Sequence, residues 1–166
     1  MVVAKTDLAM QHLQAQLKQK TARREYVGIV YGAPSAESGI ISQPIGRHLI
    51  DRQKMGIVPE ERGGRTAVTH WQVRERIGNY TLLQFQLETG RTHQIRVHSA
   101  HMGHPIVGDP VYSSGHSIGV NLTGQALHAW KLTLQHPISG KILEAIAPFP
   151  PEFEKLLEVL HRRLGF

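Results

Sequence analysis

The segment LETGRTHQIRVH, residues 87–98, decides the fold. A strand-like run ends here, a glycine turn follows at Thr89-Gly90, and a short helix is predicted from about Thr92 to Met102. Gly103 is typical of a residue just beyond a helix C-terminus. The segment therefore predicts a strand-to-helix corner whose first helical turn offers free N–H groups and a dipole that favour an anion.

Hairpin signals flank this corner on both sides. Two strands are predicted at residues 66–77 and 80–87, joined by the turn residues Gly78-Asn79. A second hairpin is predicted from strands at residues 127–134 and 141–147. Other predicted segments are a strand at residues 26–32, a loop at residues 33–39 and a Ser- and Gly-rich loop at residues 113–124. Strands therefore dominate, and most neighbours are expected to be antiparallel.

Two helices are predicted at the ends of the chain. The first is capped by Thr6 or Asp7 and runs to about Lys20, with Leu13 and Leu17 on its inner face. The second follows Pro150-Pro151, and its apolar positions are Phe153, Leu156, Leu157, Leu160 and Leu164. The sequence thus predicts one α+β domain, residues 1–166, with a mostly antiparallel mixed sheet and flanking helices.

Composition narrows the classes of function. The chain has 166 residues, a formal charge of +6 and no cysteine, which excludes disulfides, thiolate metal sites and cysteine nucleophiles. No apolar run reaches the roughly 18 residues of a membrane span, so a cytoplasmic protein is predicted. A basic chain attracts phosphate polyanions. Residues of about 44–65 form a basic, glycine-containing stretch that is predicted to be a mobile insertion with small strands.

Other chemistries find little support in the sequence. His93, His98, His101 and His104 lie close together, but no carboxylate accompanies them at a recognised zinc spacing, so no metal is predicted. No serine nucleophile elbow is predicted, because GHSIG at residues 115–119 has the Gly-x-Ser-x-Gly spacing but lies in a Ser- and Gly-rich loop, and no lysine-containing phosphate loop is present in the sequence. Taken alone, the segment at residues 87–98 is better explained as an ordinary strand-to-helix corner that carries solvated arginines.

Several motifs together resemble those of the RluA family of pseudouridine synthases, in the family's order along nearly the whole chain. They are YVGIVYG at residues 26–32, LETGRTHQIRVH at 87–98, GHPIVGD at 103–109 with Tyr112 after it, and LHA at 127–129. A set of motifs in order is far more specific than any one of them.

The resemblance implies an enzyme that isomerises uridine to pseudouridine in structured RNA, ribosomal or transfer RNA, without a cofactor. The target base must leave its stack to be reached. By resemblance, Arg96 pairs with the catalytic aspartate, Tyr26 stacks on the flipped base and helps to remove its C5 proton, and Leu127 walls the base pocket. The predicted RNA contacts are Arg47, Arg52, Lys54, Arg62, Arg65, Arg91 and His93. Asp109 is expected to organise its loop through side-chain-to-backbone hydrogen bonds.

The chain departs from the family at the nucleophile. The family's aspartate belongs to a His-Arg-Leu-Asp motif, and residues 1–6 resemble the stretch that follows this motif. Asp7, Asp51 and Asp109 lie in no matching context. We therefore expect Arg96 to lack its partner, the sheet to have an open edge, and residues 1–166 alone to aggregate or need a partner and not to isomerise uridine.

Three hypotheses follow. The chain belongs to a working synthase that begins upstream of Met1, or it is a truncated product that binds RNA without catalysis. The third is a generic basic α+β protein with a histidine-rich metal site. The first is favoured because Tyr26, Arg96 and Leu127 all stand in place.

Overall fold

The computed structural model describes residues 2–51, 54–114, 118 and 122–165. Within these residues the helices are α1 (Asp7–Lys18), α2 (Gln94–His101) and α3 (Pro151–Arg162). The strands are β1 (Arg23–Tyr31), β2 (Ser38–Ser42), β3 (Ile45–Arg47), β4 (Met55–Ile57), β5 (Val68–Ile77), β6 (Tyr80–Leu87), β7 (Leu127–Gln135) and β8 (Ile142–Ile146). A 3-10 turn covers Glu60–Arg62.

The predicted α+β fold is confirmed. Six strands form one sheet in the order β2-β5-β6-β1-β7-β8, and β3 and β4 pair separately. All pairings between the strands that the structure describes are antiparallel. Both predicted hairpins form, as β5–β6 around Gly78 and as β7–β8. The small strands predicted in the basic stretch also form, as β3 and β4, whereas the mobility of that stretch stays a prediction.

Strand β2 was not predicted, because its serine and glycine content is typical of a loop. The loop ends at Glu37, and β2 then pairs with β5, where Gly39 lies opposite Trp71. A Cβ atom at Gly39 would lie 2.9 Å from the indole ring. The glycine therefore makes room for a tryptophan that is distant in sequence, and local composition does not carry that information.

The predicted inner face of α1 is wrong in one position. Leu17 is 47% exposed, and the residue that α1 buries is Gln16. The Gln16 side chain donates to the Gln135 carbonyl at 2.8 Å and accepts from the Gln135 N–H at 2.7 Å. The helix is thus fixed to the end of β7 by an amide side chain that satisfies the strand's backbone, not by an apolar stripe.

Helices α2 and α3 lie on opposite faces of the sheet. Thr69 of β5 hydrogen-bonds to α2, whereas Glu75 of the same strand bonds to His161 of α3. Side chains alternate between the two faces of a strand, and the β-bulge between Val73 and Glu75 reverses the alternation, so the side chains of Thr69 and Glu75 lie on opposite faces. Through the strand register, Tyr26 lies opposite Phe85, which lies opposite Trp71 on the face of Thr69. Tyr26 therefore belongs to the α2 face of the sheet.

Strand β8 leaves apolar side chains in solvent at one edge of the sheet. All five of its residues are exposed, including Ile142 at 65% and Ile146 at 62%. An exposed apolar edge strand can pair with another chain. Aggregation of residues 1–166 alone stays a prediction that this edge supports.

Candidate functional site

The corner between β6 and α2 is fixed by a buried glutamine. Gln94 is 2% exposed, and its Oε1 accepts from the Arg91 N–H at 2.9 Å and from the Thr89 hydroxyl at 2.8 Å. Its Nε2 donates to the Val68 carbonyl and to the Thr69 hydroxyl, both at 3.0 Å. One side chain thus ties the turn and the start of α2 to β5. This role of Gln94 was not predicted from the sequence, although a polar residue at an inward helical position was a usable signal.

An ion pair lies beside this corner, between α2 and the loop that follows it. Arg96 Nε donates to Asp109 Oδ2 at 2.7 Å, and Arg96 Nη2 donates to Asp109 Oδ1 at 2.8 Å. The Asp109 side chain is fully buried, and that of Arg96 is 11% exposed. The expectation that Arg96 lacks a partner in this chain is therefore wrong. A guanidinium has five N–H donors, so it can bind more than one carboxylate. The family resemblance suggested only the catalytic aspartate as a partner of Arg96, and Asp109 is another.

The predicted loop role of Asp109 is confirmed, in addition to its ion pair. Its Oδ1 also accepts from the backbone N–H groups of Val111 at 2.9 Å and Tyr112 at 3.1 Å. Burial alone would raise the pKa of the Asp109 carboxyl, but the hydrogen bonds from Arg96 and from these amides outweigh it and lower the pKa. The same contact raises the pKa of Arg96. Both groups are charged at neutral pH.

Tyr112 connects this ion pair to the basic stretch. Its hydroxyl accepts from the Met55 N–H at 3.0 Å and donates to the Met55 carbonyl at 3.1 Å. The hydroxyl also lies 3.0 Å from His93 Nδ1, and the Tyr112 ring lies 5.0 Å from the Arg96 guanidinium carbon. Because the hydroxyl has one hydrogen, His93 Nδ1 must be the donor when that hydrogen goes to Met55. Burial, then the charge of Arg96, lowers the pKa of His93, which keeps its ring neutral.

Tyr26 and Leu127 lie on the same face of the sheet, in an apolar patch with Gly28 that is called the base-binding floor below. Tyr26 is half-buried, and its neighbour on β7 is the exposed Ala129. Gly28, on the same face, lies opposite Leu127, and a Cβ atom at Gly28 would lie 3.1 Å from Leu127 Cδ1. The structure thus brings the two predicted base-pocket residues together, on the face of the sheet that also carries α2. Their roles in binding a base stay predictions.

Most of the predicted RNA contacts are accessible. Arg47, Arg62 and Arg65 are exposed, and the Lys54 side chain lies 3.8 Å from Asp51. Arg91 is half-buried, with its Nε donating to the Thr66 carbonyl at 3.0 Å, and His93 contacts Tyr112. Arg52 lies outside the described residues. Arg47, Arg65 and Arg91 surround one cavity next to the start of α2.

The clustered histidines bind to the protein itself. His98 lies 2.8 Å from the Thr69 hydroxyl and 3.0 Å from the Gln43 carbonyl, and His104 Nδ1 lies 2.9 Å from the Tyr31 carbonyl. In the described part of the chain, no three histidine or acidic side chains are gathered as metal ligands. Nor does any helix in this part have the length and apolarity to cross a membrane.

His98 predicts acid sensitivity of the fold. Its ring is fully buried, and burial lowers its pKa below the ordinary value of 6.5. The unfolded chain then binds the proton more readily, so the stabilisation is complete above about pH 6.5 and is lost as pH falls through the folded-state pKa. We expect urea unfolding to show a lower free energy at pH 5.5 than at pH 7.5. His98→Gln should shrink that difference and the exposed His101→Gln should not; an undiminished difference in His98→Gln would contradict this assignment.

Comparisons with known proteins agree with this arrangement. A family model described as RNA pseudouridylate synthase matches residues 1–101. An uncharacterized RNA pseudouridine synthase of Synechocystis is 65% identical over 99% of this chain, which covers 50% of that relative. The ribosomal large subunit pseudouridine synthase D of Nitrosomonas europaea is 45% identical over 96% of this chain and 47% of its own length. The chain thus spans about half the length of these curated relatives.

A solved structure shares the fold. The human RNA pseudouridylate synthase domain containing 1 superposes with a TM-score of 0.75 at 24% identity, covering 95% of this chain and 73% of the human one. The family match covers more than half of the chain and includes Tyr26 and Arg96. The chain therefore belongs to the RNA pseudouridylate synthase family, a family of isomerases, and is of its RluA type.

Proposed function

We propose that this chain is the base-binding part of an RNA pseudouridine synthase that acts on uridine in structured RNA, ribosomal RNA in the first place. Family membership supports the reaction, and the printed names of relatives such as that of Nitrosomonas europaea support ribosomal RNA. In the reaction the N1–C1′ bond of uridine breaks, a C5–C1′ bond forms, the C5 proton leaves and N1 takes up a proton. The isomerisation is redox-neutral, and we propose that it needs no cofactor.

The observation that carries the proposal is the way in which Asp109 holds Arg96. Asp109 uses the Nε and Nη2 donors of the guanidinium, so Nη1 is left for a second carboxylate. A carboxylate placed there would be kept ionised by the neighbouring cation, as a nucleophile requires at neutral pH. We propose that the catalytic aspartate of the family takes this position.

We further propose that residues 1–166 do not supply this aspartate. Asp109 has no exposed side-chain surface, and both its oxygens are engaged by Arg96 and backbone amides. Asp7 lies in the first turn of α1, and Asp51 lies beside Lys54 in the basic stretch. The chain by itself is then an RNA-binding module without turnover. A cytoplasmic location remains part of the proposal, because the ribosome is the expected source of substrate.

The aromatic ring of Tyr26 is proposed to stack on the uracil. The half-buried ring lies on an open part of the sheet face, beside Gly28 and Leu127, and its flat surface suits a pyrimidine. Stacking of a base on an aromatic side chain contributes about 1–3 kcal/mol. This contribution does not depend on phosphate contacts, so it can be separated from the electrostatic part of binding.

Replacing Tyr26 tests the proposal. Tyr26→Ala should weaken binding of a uridine-containing RNA hairpin by roughly 5- to 150-fold, whereas Tyr26→Phe should bind nearly as the unaltered protein does. The slope of affinity against salt should be the same in all three, since no ionic contact is removed. Fluorescence anisotropy at several salt concentrations measures both quantities. Equal affinity of the alanine and phenylalanine variants would rule out stacking at this residue.

A further inference from the structure

Arg24 of β1 has a half-buried side chain whose guanidinium finds no partner in the described part of the chain. Its Nε is buried and makes no hydrogen bond there. None of the ion pairs between described residues includes Arg24, and the adjacent acid, Glu25, accepts instead from Gln84 Nε2 at 2.7 Å. A buried donor without an acceptor costs stability, and a charged one costs more. Such a group favours a ligand that accepts hydrogen bonds.

Arg24 lies beside Tyr26 on the same face of β1. The pairing of β1 with β6 is regular over both positions, with Arg24 opposite Leu87 and Tyr26 opposite Phe85. Both side chains therefore lie on the face of the sheet that carries α2. Two residues of a strand span roughly 7 Å, which is comparable to the width of a pyrimidine with its carbonyl groups. Arg24 is thus placed at the edge of the base-binding floor, on the side away from Gly28.

The guanidinium of Arg24 is positioned by the turn between β6 and α2. A Cβ atom at Gly90 would lie 2.5 Å from Arg24 Nη1 and 3.4 Å from its guanidinium carbon, so the group packs directly on the glycine backbone. This turn is itself fixed, because Gln94 Oε1 accepts from the Arg91 N–H and the Thr89 hydroxyl. Since Arg24 makes no hydrogen bond to the described residues, its N–H donors stay available to a ligand.

The base-binding floor by itself does not distinguish uracil from cytosine. Every base has a π face, so stacking on Tyr26 tolerates either pyrimidine, and Gly28 and Leu127 offer no polar side chain. The two bases differ at position 4, where uracil has a carbonyl oxygen that accepts and cytosine has an amino group that donates. A fixed donor beside the floor would favour uracil, because facing an amino group it would stay unpaired.

Arg24 is the available donor of this kind among the described residues. Their buried side-chain nitrogen and oxygen atoms without a partner belong to Arg24, Ser99 and Trp130. Ser99 is fully buried, and the Trp130 ring is covered by the guanidinium of Arg74, whose carbon lies 4.2 Å from the ring centroid. Only Arg24 combines an unpartnered donor with a half-exposed side chain beside Tyr26.

We propose that the Arg24 guanidinium donates a hydrogen bond to O4 of the flipped uracil and so selects uridine over cytidine. The inference rests on the proposed function, because it names the group that contacts the edge of the base stacked on Tyr26. The contact has a second consequence in the complete enzyme. When the N1–C1′ bond breaks, its electron pair stays with the uracil and is shared among N1, O2 and O4, and a cation at O4 stabilises that charge.

Arg24→Met is the direct test, with Arg23→Met as the matched control. Arg23 precedes Arg24, is exposed and lies on the opposite face of β1. Two RNA hairpins that differ in a single loop residue, uridine or cytidine, are compared by fluorescence anisotropy. The unaltered protein and Arg23→Met should prefer uridine by about 10- to 100-fold. Arg24→Met should bind both hairpins equally, through weaker binding of the uridine hairpin.

Several outcomes of this comparison count against the inference. It fails if Arg24→Met keeps the full preference for uridine, or if the unaltered protein has no preference. Equal weakening of both hairpins, with the salt slope reduced by about 0.7–0.9, would assign Arg24 to a phosphate and overturn the base contact. In each of these cases, RNA binding that still falls in Tyr26→Ala leaves the proposed function intact.

Gly90→Ala moves the guanidinium without changing any charge. The added methyl group meets the end of a flexible side chain, so the circular dichroism spectrum should stay the same while the preference for uridine falls severalfold. A normally folded Gly90→Ala variant with the full preference would contradict the position assigned to Arg24.

Thermal unfolding separates base recognition from a role in the fold. Arg24→Met removes no hydrogen bond or ion pair between described residues, and methionine keeps the apolar part of the side chain. Its melting temperature should equal or exceed that of the unaltered protein. A clearly lower melting temperature would show that the guanidinium serves the fold and would refute its availability to a base.

Discussion

Replacing Asp109 by alanine is expected to lower the free energy of unfolding by about 3–5 kcal/mol. The substitution leaves the Arg96 guanidinium nearly buried without its counter-charge, and the two amides that Asp109 accepts from also lose their partner. Removing one member of a buried pair costs more than the pair itself contributes, because the remaining charge stays desolvated. Urea unfolding followed by circular dichroism at neutral pH measures the change.

Two controls separate this effect from the loss of any ion pair. Glu144→Ala removes the partner of Lys131 in a pair on the sheet surface, and the free energy of unfolding should hardly change. The double variant Arg96→Met with Asp109→Leu removes both charges of the buried pair and should recover a large part of the loss. A cost of Asp109→Ala no greater than that of Glu144→Ala would show that the pair is not buried in solution.

The parts of the fold that were predicted correctly depend on local signals. The hairpins follow from turn residues such as Gly78-Asn79 and from alternating strands beside them. Helix α2 ends at His101, and Gly103 follows its C-cap with φ +84°. Strand β2 and the buried face of α1 depend on residues far away in sequence. Gly39 is needed by Trp71, and Gln16 is needed by Gln135.

In the candidate site too, local motifs identified some residues, whereas others depend on contacts between segments that are distant in sequence. The motif identified Arg96, Tyr26 and Leu127, and the structure brings the latter two onto one floor. It did not reveal that Asp109 pairs with Arg96, because the two residues are 13 positions apart and are joined by a helix end and a loop whose path is set by tertiary contacts. Nor did it reveal Gln94, two of whose four hydrogen bonds reach a strand about 25 residues earlier.

Residues 1–166 are expected to bind uridine in RNA without converting it. The chain has three aspartates, Asp7, Asp51 and Asp109. Asp109 is engaged by Arg96 and the loop and has no exposed side-chain surface, so we expect it not to act as the nucleophile. Asp7 and Asp51 lie on α1 and the basic stretch, outside the helix–loop pair that holds Arg96. If no nucleophile lies next to Arg96 Nη1, we expect the base-binding floor to hold RNA without starting the reaction.

The most direct measurement uses RNA labelled with tritium at C5 of uridine, because isomerisation releases that hydrogen to water. RNA binding and tritium release are followed in the same sample of the purified protein. We predict salt-sensitive binding that Tyr26→Ala weakens, with no release of tritium above the level of a protein-free control. Release that grows with protein concentration and disappears in Arg96→Met would contradict the account, since a nucleophile would then lie within these residues.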